Sequence, residues 1–439
     1  MTTAFLYALG VALFVLGLAL SIALHEAGHF LTAKLFGARV TEFFIGFGSK
    51  IWSRVRGETE YGFKSVPLGG YVKIVGMLPP GPDQAEGTVP ETNTGMFTQM
   101  ISDARKAEFE IVRPGEEDRL FYRLPWWKKV VVMGSGATVN LVLAFLLLGS
   151  VFMIHGVPTA TLTISQVSDC VVPATEANRA CTASDPVAPA KLAGLQAGAT
   201  ITTFDGAPVT SWDQLTELIR ANGDKEVTIG FLRGGQAMTT STKTVVSVRP
   251  AVTSSGTIQP DQYVDVGFLG ILTQTGMVRQ GPGYVLRTMG DYTVSTAQAL
   301  TRLPSGVYHA TLALVGVEKR DPNGPISVVG AGRIAGEVTS QPHAPLSNGL
   351  WFIVFLLGAV NLFIGMLNFV PLPPLDGGHL AGALFEGARR GWARLRHRPD
   401  PGFVDVARMI PAAYAIAMVF IVVSAVLVLA DLIVPVHIG

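Results

Sequence analysis

Four stretches of this chain, Ala4 to Leu24, Val130 to Val157, Leu350 to Leu375 and Ile410 to Ala430, contain no Asp, Glu, Lys or Arg. Each is about as long as the roughly 20 residues a bilayer-spanning helix needs. Helices that cross lipid must satisfy every backbone group internally, so these blocks set the architecture before any other residue is read. The first block has no basic segment before it and no small-residue cleavage site before His25, which favours an uncleaved span over a removed signal peptide. Charged residues make up only 15% of the 439, and the net charge of +1 excludes a disordered chain and a nucleic-acid binder driven by bulk charge. Two cysteines exclude a disulfide scaffold and a cysteine-built zinc finger.

Short-loop charge predicts orientation. Arg389, Arg390, Arg394, Arg396 and Arg398 lie between the third and fourth blocks, which makes that loop cytoplasmic. The segment between the first two blocks then also faces the cytoplasm, and both termini lie outside with the long segment from about Pro158 to Asn348. Cys170 and Cys181 both fall in that outer segment, where a local disulfide or two free thiols are both open.

The cytoplasmic segment reads as short strands over Val40 to Phe44 and Gly62 to Ile74, with turns at Gly46-Phe47-Gly48 and Leu68-Gly69-Gly70. A polar, turn-rich loop follows from Pro79 to Asn93. Trp126, Trp127, Lys128 and Lys129 stand at the mouth of the second span as headgroup anchors. In the outer segment, strands over Thr161 to Val167, Ala199 to Phe204 and Glu226 to Leu232 surround a helix over Asp213 to Arg220.

His25-Glu26-Ala27-Gly28-His29 carries the chemistry. On a helix, positions i and i+4 share a face, so both imidazoles can reach one zinc ion at about 2.0 to 2.1 Å with the intervening Glu beside an open coordination position. A catalytic zinc needs a third protein ligand. Asp376 is the sole carboxylate between Leu350 and Leu380, in a run where Pro371, Pro373 and Pro374 break the helix and two glycines follow. Those glycines are expected to let the chain approach the metal closely. An ordinary helix-capping role for Asp376 is the alternative. His379 is not required by the ligand count.

Together, HExxH on the first span, Asn368-Phe369-Val370-Pro371-Leu372-Pro373-Pro374-Leu375-Asp376-Gly377-Gly378 after a later span and the outer unit resemble the site-2 protease family of intramembrane zinc metalloproteases, in its bacterial RseP-like branch. Tyr61-Gly62-Phe63-Lys64 and Pro67 to Lys73 resemble that branch's membrane-associated β-hairpin region. Gly136 and Asn140 resemble its second-span pattern, with Ala137 in place of proline. Gly324-Pro325-Ile326-Ser327 matches the segment before its third span. Pro186 to Gly206 resembles a bacterial PDZ signature, with Ala199 where Asp is usual.

The resemblance implies His25, His29 and Asp376 as ligands of Zn2+ and Glu26 as general base. The expected fold is a polytopic α-helical membrane protein of four transmembrane helices, with a membrane-associated β-hairpin region and an extracytoplasmic PDZ-like α/β domain. Its parts are the first span (1–36), the hairpin region and loop (37–127), the second span (128–157), the PDZ-like domain (158–250) and an outer connector (251–348). The third span with the LDG motif (349–380), a basic cytoplasmic loop (381–409) and the fourth span with its tail (410–439) complete it. Asn368 and the backbone edge at Tyr71, Val72, Lys73 and Ile74 are the expected substrate contacts, the edge by strand addition to an unwound substrate. The expected partners are single-span membrane proteins, such as anti-sigma factors or remnant signal peptides, the bilayer, and a peptide C-terminus at the PDZ groove; nucleic acid is not among them. The expected location is the inner (plasma) membrane, with the active site near the cytoplasmic face. A membrane-anchored protease of soluble substrates and an inactive PDZ-bearing scaffold are the competing functions.

Overall fold

The computed structural model describes residues 2–80, 96–110, 112–113, 115–176, 179–252, 258–342 and 344–436. In chain order its first elements are α1 (Thr3–Leu35), β1 (Val40–Arg56), β2 (Thr59–Ile74), α2 (Met96–Phe109), α3 (Trp126–Ser150), β3 (Val157–Val167), α4 (Pro189–Leu192), β4 (Thr200–Phe204), β5 (Ala207–Pro208) and α5 (Trp212–Ala221). Then come β6 (Glu226–Arg233), β7 (Gln236–Lys243), β8 (Val245–Val252), β9 (Ile258–Phe268), β10 (Ile271–Val278), α6 (Pro282–Leu314), α7 (Val328–Thr339), α8 (Leu346–Phe369), α9 (Asp376–Leu395) and α10 (Ile410–Ile433). The chain divides into two compact units, Met1–Ile154 with Gly281–Gly439, and His155–Gln280.

Among the described residues four helices are long and apolar enough to cross a membrane: Thr3–Leu35, Trp126–His155, Leu346–Phe369 and Val406–Ile433. Phe14 and Leu18 of α1 pack with Ala331 and Ala335 of α7 and with Ile353 and Leu357 of α8, so one face of α1 is held against both helices. Three sequence expectations change here. The third span stops at Phe369, short of the LDG motif, because Pro371 and the Pro373-Pro374 pair cannot continue the α8 hydrogen-bond ladder. The 381–409 segment is not simply a loop, since α9 runs to Leu395. The expected connector 251–348 likewise contains α6 and α7. Their mixed polar and apolar faces carry no uninterrupted apolar block, so a span-length reading passes over them.

The hairpin is longer than its sequence suggested. β1 and β2 each run through the expected internal turns, and the chain reverses at Gly57-Glu58. Gly46, Gly48 and Gly69 have φ of 89°, 91° and 101°, and the ladder shifts register around Ile45 to Trp52. Residues 42–45 run in step with 60–63, whereas 52–56 and 70–73 run against them, so the chain folds back at both expected turns inside what is otherwise one long hairpin. As a result Phe44 pairs with Tyr71 on one side and Gly62 on the other, so residues 42–45 lie inside the sheet and residues 70–73 lie at its border. The expected polar loop falls mostly at 81–95, outside the described residues; α2 follows it.

The smaller unit is built on a sheet of order β10-β3-β4-β6-β7, with β5 paired to β4. Ile164, Ile201, Phe204, Ile229 and Leu269 form its core with Leu215 and Ile219, which share one face of α5 at i and i+4. Ser211 caps α5, its hydroxyl accepting from the Gln214 N–H. The unit does not end at residue 250: β10 returns to pair with β3, Ile271 opposite Val167. Cys170 and Cys181 form a disulfide, which settles the open choice between a bridge and free thiols.

Candidate metal centre

α1 continues two turns beyond the HExxH motif, so His25 and His29 sit within the helix, both buried and on one face. Their Nε2 atoms are 3.2 Å apart, and each lies 3.2 Å from Asp376 Oδ2. Three lone-pair atoms from residues up to 351 positions apart thus converge on one point.

The orientation of His29 is fixed from behind. Its Nδ1–H donates to the carbonyl of Val132 on α3 at 2.8 Å, which leaves Nε2 as the lone-pair nitrogen facing Asp376. His25 Nδ1 is buried without a hydrogen-bond partner. Gly136 of α3 closes the site from the same side. A Cβ built there would fall 2.3 Å from His29 Nε2 and 2.8 Å from His25 Nε2, so any side chain would fill the point of convergence.

Asp376 reaches the pair through the break after α8. The first turn of α9 folds tightly against the proline segment: an added Cβ at Gly377 would meet the Val370 carbonyl oxygen at 1.9 Å, and one at Gly378 would meet Pro373 N at 3.0 Å. The two glycines therefore allow backbone to pack on backbone, not close approach to a metal as the sequence suggested. They seat the residue that precedes them.

These residues fit zinc. Two imidazoles and a carboxylate are a donor set this ion takes, and ligands at about 2.0 to 2.1 Å from a tetrahedral centre lie roughly 3.3 Å from one another. The 3.2 Å separations match that spacing, and the space Gly136 leaves is where such an ion would be held.

Glu26 lies beside the trio, half-buried. An added Cβ at Gly70 would stand 3.0 Å from Glu26 Cγ, so the border strand of the sheet passes directly against it. Along that border the Tyr71 hydroxyl donates to Glu42 at 2.5 Å, Lys73 lies 3.6 Å from the same carboxylate, and Ile74 is buried in the core. Only backbone is on offer at Ile74. Asn368, on the last turn of α8, is half-buried and has no hydrogen bond to the trio.

Several supporting residues were not visible as such in the sequence. Lys129, expected at the headgroups, is instead buried and paired with Glu386 of α9 at 2.7 Å, with Arg390 at 3.3 Å from the same carboxylate. Burial of the Lys129 ammonium is possible only because this carboxylate meets it. Asn361 of α8 donates to Ser21 of α1 at 2.9 Å. A lone basic residue at a helix mouth and an Asn in an apolar run were the available signals, and neither names its partner.

Two buried imidazoles on a membrane-length helix, a half-buried Asp just past the end of another and a Glu beside them define a membrane metalloprotease. The family model for peptidase family M50 matches residues 13–399. The chain is 31% identical to the zinc metalloprotease Rip1 of Mycobacterium tuberculosis (strain H37Rv), over 98% of this chain and 99% of the relative. Rip1 of Mycolicibacterium smegmatis is 30% identical over 99% of both chains. The zinc metalloprotease RasP of Shouchella clausii is 24% identical over 84% of this chain and 88% of its own. The chain belongs to peptidase family M50, the site-2 proteases: it is an integral membrane protein and a zinc metalloprotease.

Proposed function

We propose that this protein cleaves single-span membrane proteins within their transmembrane segments, with His25, His29 and Asp376 as the zinc ligands and Glu26 as the general base. The convergence of the three ligand atoms at 3.2 Å, two from a membrane-length helix and one from just past the end of another, is the observation that carries this reading.

When bound, zinc supplies Lewis acidity that polarises a carbonyl and acidifies water. The chain supplies the rest. His29 is held in one tautomer by Val132, and Gly136 keeps the site free of side chain. Glu26 stands where it can accept the proton of the attacking water and return it to the leaving amine, work worth typically 10²- to 10⁴-fold.

A helical substrate hides its carbonyls in its own hydrogen bonds and must unwind before attack. The 70–74 border of the sheet pairs with β1 on one side, and no other described strand pairs with it on the other. An unwound substrate added there regains its lost backbone bonds next to Glu26. Asn368 is assigned a substrate contact from the resemblance alone. The smaller unit is read as the PDZ-like domain, which either captures a newly exposed peptide C-terminus or excludes bulky ectodomains. With the arginines of 389–398 cytoplasmic, both termini lie outside and the site faces the inner side of the plasma membrane. Anti-sigma factors and remnant signal peptides fit that arrangement as substrates.

The test reconstitutes wild type and Glu26→Gln with model single-span substrates and assays cleavage and zinc content. Lost cleavage with zinc retained is the expected result. Cleavage retained by the variant would overturn the assignment of the base, and cleavage of soluble substrates alone would overturn the substrate class.

A further inference from the structure

The face of α9 that points away from the metal centre has a chemistry of its own. His379, Ala383, Glu386, Arg390 and Ala393 lie on one side of the helix, where Glu386 meets Lys129. At about 100° per residue, Leu384, Phe385, Ala388, Trp392 and Leu395 occupy an arc of roughly 100° on the opposite side. The large side chains of this arc are exposed: Leu384 49%, Phe385 60%, Trp392 57% and Leu395 80%.

The depth of this face is fixed by its neighbours. Gly387 packs against Trp126, the first residue of the second membrane-length helix; an added Cβ would meet the indole at 2.5 Å. α9 therefore crosses the mouth of α3. It is also tethered at both ends, since α8 ends six residues before it and the fourth membrane-length helix starts at Val406. Both tethers and the crossing place the helix at the border between hydrocarbon and headgroups.

Charge identifies what it meets there. Arg389 is committed to the carbonyls of Pro401, Gly402 and Phe403, and Arg390 to Glu386 and Asp400. Arg394, Arg396 and Arg398 are exposed, and none has an ion pair among the described residues. The Arg396 guanidinium stands 4.4 Å from the Trp392 ring centroid, an indole and cation presented together at one edge of the apolar face.

We propose that α9 is an interfacial helix that inserts its Leu384, Phe385, Trp392 and Leu395 face into the bilayer surface and binds anionic lipid phosphates through Arg394, Arg396 and Arg398. Apolar area on one face with arginines at its end is the arrangement by which helices bind acidic lipid surfaces, each basic group adding several-fold to the affinity. The inference does not depend on which residues hold zinc.

The test uses the full-length protein in nanodiscs of phosphatidylcholine, alone or with phosphatidylglycerol. The difference in emission between wild type and Trp392→Phe isolates the indole at 392. That emission is expected to be quenched by lipids brominated in the acyl chain and shielded from aqueous acrylamide. Combined Arg394→Gln, Arg396→Gln and Arg398→Gln are expected to lower retention of phosphatidylglycerol at least tenfold, with zinc content and elution volume unchanged as evidence of folding. Quenching by acrylamide but not by bromolipid would overturn the insertion. An unchanged preference for phosphatidylglycerol in the triple variant would overturn the headgroup contact. A dimer dissolved by Phe385→Ser would assign the face to a second copy of the chain instead.

Discussion

Lys129 Nζ donates to Glu386 Oε2 at 2.7 Å, and this pair joins the helix that orients His29 to the helix that begins with Asp376. α3 thus touches both halves of the metal centre, one through the Val132 carbonyl and the other through an ion pair whose partners are almost fully buried. Glu386→Gln leaves the buried Lys129 ammonium without its carboxylate and is expected to destabilise the fold by about 3 to 5 kcal/mol, whereas Lys129→Met leaves Glu386 with Arg390 alone and is expected to cost less. Joint replacement by Met and Leu is expected to restore most of that loss. Thermal unfolding of the four proteins checks the pattern, and equal losses in the single and double variants would contradict it.

Gly136→Ala gives a sharper test of the site. In a helix interior Ala is favoured over Gly by roughly 0.8 to 1.0 kcal/mol, so helix propensity predicts a gain in stability. The added methyl would stand 2.3 Å from His29 Nε2, so zinc affinity and cleavage should fall at least tenfold while α3 remains intact. Metal content after dialysis against a chelator, read beside the unfolding midpoint, separates the two effects.

At the sheet border the expected effect is on turnover alone. Val72→Pro removes a backbone donor from the 70–74 segment, which no second described strand covers on its outer side. Cleavage should drop about tenfold or more with zinc content at the wild-type level. If Val72→Pro cleaves at the wild-type rate, substrate addition to this edge is wrong.

Acid should loosen the hairpin turn through Glu58. Hydrogen bonds from Arg119, with desolvation opposing and Lys34 assisting, hold its carboxyl down to about 2 from an ordinary 4.5. A carboxylate lowered in this way stabilises the fold fully above 4.5, and that share is lost as pH falls towards 2. Hydrogen exchange at Gly57 to Glu60 should therefore accelerate across this window in wild type and be nearly flat in Glu58→Gln. Equal pH dependence in both would show that another group governs the turn.

What could be read from the residues alone follows from the range of the interactions involved. The four membrane-length helices are local: each depends on about 20 consecutive apolar residues and on nothing elsewhere. The i, i+4 pair of His25 and His29 is local too, since helix geometry sets it. Asp376 could be nominated because prolines and a lone carboxylate in an apolar run have few other uses. The turns at Gly46 to Gly48 and at Leu68 to Gly70 were legible because glycine at positive φ serves a reversal, but that 42–45 would pair with both 60–63 and 70–73 was not, since that pairing depends on how the hairpin folds back.

By itself, the sequence determined the membrane-length helices, the HExxH pair and the kind of metal it would take, because those follow from hydropathy and from one turn of helix. Tertiary structure alone decided that Asp376 meets the pair at 3.2 Å, that Gly136 leaves the space between them, and that Lys129 is buried against Glu386. Contacts between residues 100 to 350 positions apart depend on how helices pack against each other, and no local pattern of residues encodes that packing.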